Sequence, residues 1–159
     1  GALRTGDMGY LDSDGFLFIT GRIKEQYKLE NGKYVVPAPL EETIVLSPFI
    51  ACAYVHGNDR PHNVALIVPA FDHLIAWAKD NGISDTSTDA LINDNRVVAK
   101  IRQELDAASK DFKGFERLRN FALLTEEFTT QNGLLTPKLS LKRSKILERY
   151  SSIIDNLYK

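Results

Sequence analysis

The 159-residue sequence has little of several residue types, and each shortage excludes a class of protein. Cys52 is its one cysteine, so the chain forms no internal disulfide, which fits a reducing compartment. No apolar run approaches the ~20 residues of a membrane-spanning helix, so we expect no membrane anchor in this segment. Because 20 basic residues balance 21 acidic ones, no overall field attracts nucleic acid or an anionic membrane.

Several motifs that identify enzymes are also missing. The sequence contains neither a Gly-x-x-x-x-Gly-Lys-Ser/Thr phosphate loop nor a Gly-x-Gly-x-x-Gly fingerprint, and no Ser/His/Asp arrangement can be argued. Its histidines, His56, His62 and His73, have no metal-ligand spacing with one another or with Cys52, so no metal site is expected. If the chain handles phosphates, the main phosphate cradle lies outside it.

What is present is the composition of an ordinary folded domain. Apolar residues make up 43% of the chain and charged residues 26%, a composition that predicts a folded domain with a buried core. The sequence starts with Gly1-Ala2-Leu3-Arg4, without an initiating Met or a signal-peptide core. We therefore expect a soluble piece of a longer protein.

The first 36 residues predict two β-hairpins. A cluster of Asp, Ser and Gly at residues 12–15 supplies turn chemistry between two β-prone runs. Residues 27–29 and 34–36 form a second pair of runs, joined by a turn that contains Asn31-Gly32. Asn-Gly takes positive φ at little cost, so this turn signal is strong.

A short helix should follow the second hairpin. Pro37 and Pro39 are favourable near a helix start, and Pro48 should stop the helix. Glu41 and Glu42 are expected in its first turn, where carboxylates interact favourably with the helix dipole.

The remaining residues predict a small mixed sheet with helices packed against it. Strands are expected at residues 50–56, 63–68 and 120–124. One helix should end at Asn81-Gly82, a longer one should carry a stripe from Leu91 to Ala108, and a third should close the chain. Since strands and helices do not alternate strictly, the predicted class is α+β. The stripe of the closing helix is Ile146, Tyr150, Ile153 and Leu157.

Two short motifs near the start have residue types suited to a nucleotide. Asp7 follows Gly6, where the backbone can approach a ligand and a carboxylate can accept hydrogen bonds from two vicinal hydroxyls. Arg22 follows Gly21 at a strand end, where a guanidinium can face oxygen acceptors. Taken singly, each motif is explained as well by a turn cap or a surface ion pair.

A basic cluster near the other end has three interpretations. It could deliver a cation to phosphates in a transition state, or it could be an edge strand with a solvated face, which the residues alone favour. As an anion or nucleic-acid patch it lacks aromatic interleaving and excess charge. The cluster is Lys138, Lys142, Arg143 and Lys145.

Three segments in a fixed order carry a family resemblance. Residues 4–10 read Arg-Thr-Gly-Asp-Met-Gly-Tyr, residues 21–24 begin a longer match with Gly-Arg-Ile-Lys, and residues 132–137 read Asn-Gly-Leu-Leu-Thr-Pro. Together they resemble the adenylate-forming (AMP-binding) superfamily, and more narrowly the end of a long-chain fatty-acid–CoA ligase. The resemblance covers the whole chain, and the ordered set is specific although each piece is common.

The resemblance implies a two-step ligase reaction of fatty-acid metabolism. ATP and a fatty acid give an acyl-adenylate and pyrophosphate, and coenzyme A then displaces AMP to form the thioester, with Mg²⁺ as a cofactor of the full enzyme. Residues 1–23 would end the large N-terminal adenylation domain, and residues 24–159 would be the mobile C-terminal domain. This piece alone would hold no cofactor and would be inactive, because the substrate pocket lies elsewhere.

The resemblance also assigns roles to individual residues. Asp7 would bind the ribose hydroxyls, and Arg22 would contact ribose or phosphate. Lys24 would be the hinge residue, and Gly32 would line the path of the CoA pantetheine arm.

The lysine that ends the common superfamily pattern Gly-Lys has two candidates here. Counting from Pro137 places Arg143 in its position, and a one-residue shift places Lys142 there. Lys142 is slightly favoured, since an ammonium is a compact point charge.

Two other functions remain open from the sequence. The longer protein could pass its acyl group to a carrier protein or another nucleophile. Alternatively, the chain could be a non-enzymatic interaction module that docks through its basic loop. A cytoplasmic location is expected, with peripheral membrane association of the longer protein left open.

Overall fold

In the computed structural model, residues 7–11, 13–15, 17–22 and 26–159 are described, and they begin with two hairpins. Strands β1 (Asp7–Leu11) and β2 (Leu17–Arg22) pair antiparallel across a turn in which Gly15 has φ +85°. The short strands β3 (Tyr27–Lys28) and β4 (Tyr34–Val35) pair across the Asn-Gly turn. Both predicted hairpins are confirmed. They could be predicted because each depends on the chemistry of a few turn residues.

Helix α1 (Pro37–Ile44) opens on a proline, as predicted, but ends four residues before Pro48. The expectation for its acidic residues is wrong, since its first turn contains no carboxylate and Glu41 and Glu42 lie one turn later. Glu42 is exposed, whereas Glu41 is buried.

The central sheet has three strands in the order β5 (Ile50–His56), β6 (Asn63–Pro69) and β7 (Leu118–Leu123). β5 and β6 are antiparallel, and β6 and β7 are parallel. Every residue of β6 is buried, as expected for a central strand covered on both faces. The three predicted strands are confirmed to within two residues.

The segment between β6 and β7 forms three helices, one more than predicted. Helix α2 (Phe71–Asp80) ends before Gly82, which has φ +77°. The stripe from Leu91 to Ala108 is divided between α3 (Thr88–Asn93) and α4 (Asn95–Ser109). A 3₁₀ turn at Gly114–Glu116 then leads into β7.

The predicted closing helix is also two helices, α5 (Arg143–Arg149) and α6 (Ser151–Asn156). The break is at Tyr150, whose φ of −111° and ψ of 19° fall outside the helical region. Buried Ile146 and Ile154 anchor the two helices.

The two faces of the sheet bury separate cores, because successive strand residues point to opposite sides. Ala53 and Val55 of β5 lie in one core with α1, α2, α3 and α4. Tyr54, between them, lies in the other with α5 and α6. The predicted α+β class is confirmed.

Candidate functional site

Asp7 and Arg22 are brought together by the first hairpin. Their Cα atoms are register partners at the end of the β1–β2 ladder away from the turn. The structure therefore pairs the two predicted nucleotide-binding residues on adjacent strands. Lys24, the predicted hinge, lies outside the described residues.

Gly32 lies in the turn of the second hairpin, with φ +86°. A Cβ added there would meet no described atom within 4 Å, so the space beside it is open. The turn is closed by hydrogen bonds from Gly32 N to the Leu29 carbonyl (2.9 Å) and from Leu29 N to the Lys33 carbonyl (2.9 Å).

The basic segment is a tight loop rather than the edge strand that its residues alone favour. The strand-like pairing in this segment is one isolated antiparallel β-bridge, between Leu135 and Leu141. Thr136 N donates to the Ser140 carbonyl (2.8 Å), which closes the loop at its base. At the tip, Leu139 is 72% exposed and has φ +63°, in the left-handed region that leucine seldom adopts.

The turn before this loop is organised by Asn132, which the sequence analysis placed in a motif without a role. Its side-chain oxygen accepts from Thr129 N (3.0 Å) and Leu134 N (3.2 Å), and its amide nitrogen donates to the Glu127 carbonyl (2.7 Å). Gly133 follows with φ +79°. This turn leads the chain into buried Leu134.

Lys142 sits where the loop enters α5, and its backbone is fixed at both groups. Its N–H donates to the Leu134 carbonyl (2.9 Å), and its carbonyl accepts from Lys145 N (3.0 Å) and Ile146 N (3.0 Å). Because Leu134 and Ile146 are both buried, Lys142 is tied to the core on either side.

The surroundings of the Lys142 side chain are cationic and open. It lines a surface cavity of about 550 Å³ together with Lys145 and Arg149. Lys145 faces Glu148 at 3.9 Å and Arg149 pairs with Glu126 at 2.6 Å, whereas no described carboxylate lies within ion-pair distance of Lys142.

Arg143, the neighbouring candidate, is held in a bidentate ion pair. Its Nη1 donates to Glu41 Oε2 (3.0 Å), and its Nη2 donates to Glu41 Oε1. The side chain of Glu41 is 8% exposed and that of Arg143 is 25% exposed. Two parallel charge-assisted bonds to a buried carboxylate fix the orientation of the guanidinium.

Glu41 has a third contact at the sheet edge. The N–H of Val55, on edge strand β5, donates to Glu41 Oε2 (2.7 Å). Because the N–H groups of an edge strand lack a strand partner on one side, this bond satisfies a group that burial would otherwise leave unpaired. Glu41 therefore links α1, the edge of β5 and α5.

This role of Glu41 was not predicted from the sequence, although α1 carried a signal for it. The buried residues of the helix are Pro37, Leu40, Glu41 and Ile44, which share one face. A carboxylate on an apolar stripe requires a buried partner, because an unpaired buried charge is costly.

Two tyrosines lie beside the ion pair. Burial raises the pKa of Tyr54 to about 12, an effect opposed by Arg143, whose guanidinium carbon is 5.9 Å from the ring centre. The pKa of Tyr27 is raised further, by burial and then by the charge of Glu41. Both phenols are therefore neutral near pH 7 and serve as hydrogen-bonding or packing groups.

The described residues contain neither a metal-binding cluster nor a membrane-spanning helix. No group of three or more His, Cys, Asp or Glu is arranged to hold a metal ion. Among the helices of the described ranges, none is long and apolar enough to span a bilayer.

The fold and the paired motifs together define a domain of the adenylate-forming class. The chain belongs to the family described as the AMP-binding enzyme C-terminal domain, whose sequence model matches residues 24–159. It is 35% identical, over 159 residues, to the long-chain-fatty-acid–CoA ligase FadD15 of Mycobacterium tuberculosis. That match covers 99% of this chain and 26% of the ligase, so the chain spans about a quarter of its relative's length.

Two solved structures share the fold. The adenylation domain of the carboxylate reductase of Mycobacterium chelonae is 29% identical, with a TM-score of 0.78 over 97% of this chain and 22% of its own. The adenylation–PCP didomain of the carboxylic acid reductase of Segniliparus rugosus, in complex with AMP, is 25% identical, with a TM-score of 0.77 over 97% of this chain and 20% of its own. The expected fold, the small C-terminal domain of adenylate-forming enzymes, is confirmed.

Proposed function

We propose that this chain is the C-terminal part of an ATP-dependent long-chain fatty-acid–CoA ligase. The observation that carries the proposal is Lys142, which is held at the start of α5 in a chain of this family and has no ion-pair partner among the described residues. In the complete enzyme, a fatty acid and ATP would form an acyl-adenylate and pyrophosphate, and CoA would then displace AMP. The 35% identity to a long-chain ligase supports this choice of substrates.

Lys142 is the residue to which we assign the adenylation step. As negative charge shifts onto the leaving pyrophosphate, a positioned ammonium stabilises the transition state. Arg143 suits this role less well, because Glu41 already binds its guanidinium in a bidentate pair. Of the two candidates, we therefore propose Lys142.

Asp7 and Arg22 are assigned to the nucleotide. Their register pairing supports a joint site, with the carboxylate accepting from the ribose hydroxyls and the guanidinium donating to ribose or phosphate oxygens. We assign residues 1–23 to the end of the large domain and residues 24–159 to the mobile domain, with Lys24 as the hinge.

Gly32 is assigned to the CoA path. The space beside it is open on the side of this chain, so a side chain there would project toward whatever docks against the hairpin. We propose that the pantetheine arm passes this turn in the thioester-forming arrangement.

The rest of the enzyme would supply the remaining components. We propose an N-terminal adenylation domain that holds fatty acid, ATP and Mg²⁺, since this chain spans about a quarter of the length of the ligase that it resembles. This chain alone would then be inactive. We place the enzyme in the cytoplasm, where the free thiol of Cys52 is stable, and its peripheral association with membranes is a further possibility to test.

The proposal predicts that Lys142→Ala selectively impairs adenylation in the full-length protein. Pyrophosphate release from ATP and a long-chain fatty acid should fall about 10²–10³-fold, the usual effect of removing one transition-state charge contact. Thioester formation from a pre-made acyl-adenylate and CoA should change less than about threefold. Both half-reactions are measured separately.

Lys138→Ala is the matched control, because Lys138 is an exposed lysine of the same loop. It should leave both half-reactions near wild type. If Lys142→Ala behaves like Lys138→Ala, the assignment of Lys142 is wrong. If the wild-type protein releases no pyrophosphate with any fatty acid, the proposed function is wrong.

A second candidate function is transfer of the acyl group to a carrier protein. It is favoured by the similarity in fold to the carboxylate reductase adenylation domains, one of them joined to a PCP domain. Free acyl-CoA released by the full-length protein supports the ligase. Adenylation without acyl-CoA release supports the carrier-dependent reaction.

A further inference from the structure

We propose that the partly buried Glu41–Arg143 ion pair positions Lys142 for the adenylation step, with Glu41 on α1 acting as a positioning residue. The inference rests on the proposed function and deepens it. It assigns a role to a carboxylate that touches no substrate and lies 102 positions from Arg143 in the sequence.

Lys142 and Arg143 are covalent neighbours at the start of α5. Lys142 is the N-cap of α5 and Arg143 is the first residue of that helix. The Arg143 side chain reaches back to α1 and ends on Glu41 through two hydrogen bonds. Any rotation of the helix start that moves Lys142 therefore has to break that pair.

The Glu41 carboxylate that binds Arg143 is itself held rigidly. Glu41 is 6% exposed and also accepts the Val55 N–H, so its carboxylate is held by an arginine and by the sheet edge. Breaking a buried ion pair by removing one partner is costly, because it leaves a charge without compensation. The pair is thus a stiff connection between α5 and the edge of the sheet.

A rigid start of α5 limits the positions that the Lys142 ammonium can reach. A lysine side chain is long and flexible, so the reach of its ammonium is limited by how well its backbone is placed. A misplacement of about 1 Å at a catalytic group can cost about 10²-fold in rate. The backbone hydrogen bonds of Lys142 fix the position of its main chain relative to the core. The Glu41–Arg143 pair fixes the direction in which α5 starts.

The Glu41–Arg143 pair also determines which cation is available to the nucleotide. A guanidinium can bind phosphate oxygens through two parallel hydrogen bonds, just as it binds the oxygens of a carboxylate. An Arg143 released from Glu41 would therefore compete with Lys142 for a polyphosphate. Glu41 occupies that fork. The pair therefore presents one cation to the nucleotide in a defined place, rather than two in several.

The test is Glu41→Gln in the full-length protein. Glutamine preserves the shape and an acceptor for Val55 N–H, but it removes the charge that holds Arg143. For pyrophosphate release we expect kcat to fall at least tenfold, with the KM for ATP changing less than threefold. Thioester formation from a pre-made acyl-adenylate should stay within about threefold of wild type.

Glu42→Gln is the matched control, since Glu42 is the exposed neighbour on the same helix. It should leave both half-reactions unchanged. Arg143→Lys removes the bidentate fork while keeping the charge, and it should reproduce the selective loss of adenylation. If Glu41→Gln does not fold, Arg143→Lys decides the matter by the same comparison.

Two results would overturn the inference while leaving the proposed function intact. One is adenylation by Glu41→Gln at the rate of Glu42→Gln while Lys142→Ala is impaired. The other is an equal loss of both half-reactions in Glu41→Gln, which would indicate a structural role only. A wild-type protein that forms no acyl-adenylate would instead overturn the proposed function and this inference with it.

Discussion

At the scale of single residues, Asn63 joins three parts of the fold, although it lies in none of the sequence motifs. It is fully buried at the start of β6, and its side-chain oxygen accepts from the Tyr27 hydroxyl at 2.5 Å. Its amide nitrogen donates to the Glu116 carbonyl at 2.8 Å. One amide thus ties the second hairpin and the 3₁₀ turn to the sheet.

Gly57 is the residue that leaves room for this amide. A Cβ added there would lie 2.2 Å from Asn63 Oδ1 and 3.0 Å from Tyr27 Cε2. We predict that Gly57→Ala destabilises the chain by about 2–4 kcal/mol, because it overpacks the site and separates a buried hydrogen-bonded pair. Urea denaturation midpoints measure the effect.

Gly114→Ala is the control for that substitution, since a Cβ there meets nothing within 4 Å. Its midpoint should stay close to wild type. Equal midpoints for the two variants would show that the Asn63 contact rearranges at little cost.

The choice between Lys142 and Arg143 shows the limit of sequence reasoning at this scale. The two residues are adjacent, and motif counting permits either. Our proposal of Lys142 depends on the contact of Arg143 with Glu41, which is formed between α5 and α1. A pattern confined to residues 132–143 contains no record of that partner.

At the scale of elements, the β3–β4 hairpin allows a test of the CoA assignment. Gly32→Leu places a bulky side chain in the open space beside the turn, so we predict a selective loss of thioester formation of at least tenfold. Adenylation should be nearly unaffected. Acyl-CoA production from a pre-made acyl-adenylate and pyrophosphate release are the two measurements.

Gly82→Leu controls for the backbone cost of the hairpin substitution. Gly82 also has positive φ and open space around an added Cβ, and it lies after α2 in a different part of the fold. Leucine pays a similar penalty of about 1–2 kcal/mol at either position. If both variants lose the same activity, strain rather than blockage explains the result.

The sequence predicted elements well where the signal was local. Turn residues and β-branched runs placed both hairpins and all three sheet strands, because these depend on the conformations of a few neighbouring residues. Helical periodicity was less reliable, since a stripe continues across a short break. Asp94 interrupts the stripe with an extended backbone (φ −81°, ψ 125°) and caps α4 by accepting from Arg96 N at 2.8 Å.

At the scale of the whole molecule, buried histidine makes stability depend on pH. His56 is 8% exposed, and burial lowers its pKa, with Arg60 acting in the same direction and Asp155 against it. The unfolded chain therefore binds a proton more readily than the folded chain. Stability should fall as pH drops below about 6.5, the ordinary histidine pKa, toward the lowered folded value.

The measurement is the urea midpoint of wild type and His56→Gln between pH 7.5 and 5.5. The wild type should lose more stability on acidification than the variant. The pKa of His62 is also lowered by burial and Arg119, so the variant should retain part of the slope. A variant with the full wild-type slope would show that His56 does not contribute.

The division of the core between the two faces of the sheet has a consequence for synthesis of the chain. The first face packs largely against helices made before β7, whereas Val64, Leu66 and Val68 on the second face are covered by residues from Leu124 onward. A nascent or truncated chain that stops before α5 lacks Ile146 and Ile154, which leaves part of this apolar surface exposed and Glu41 without Arg143. Such exposed surface is what chaperones and proteases recognise, so quality control would distinguish chains that include α5 and α6 from chains that stop before them.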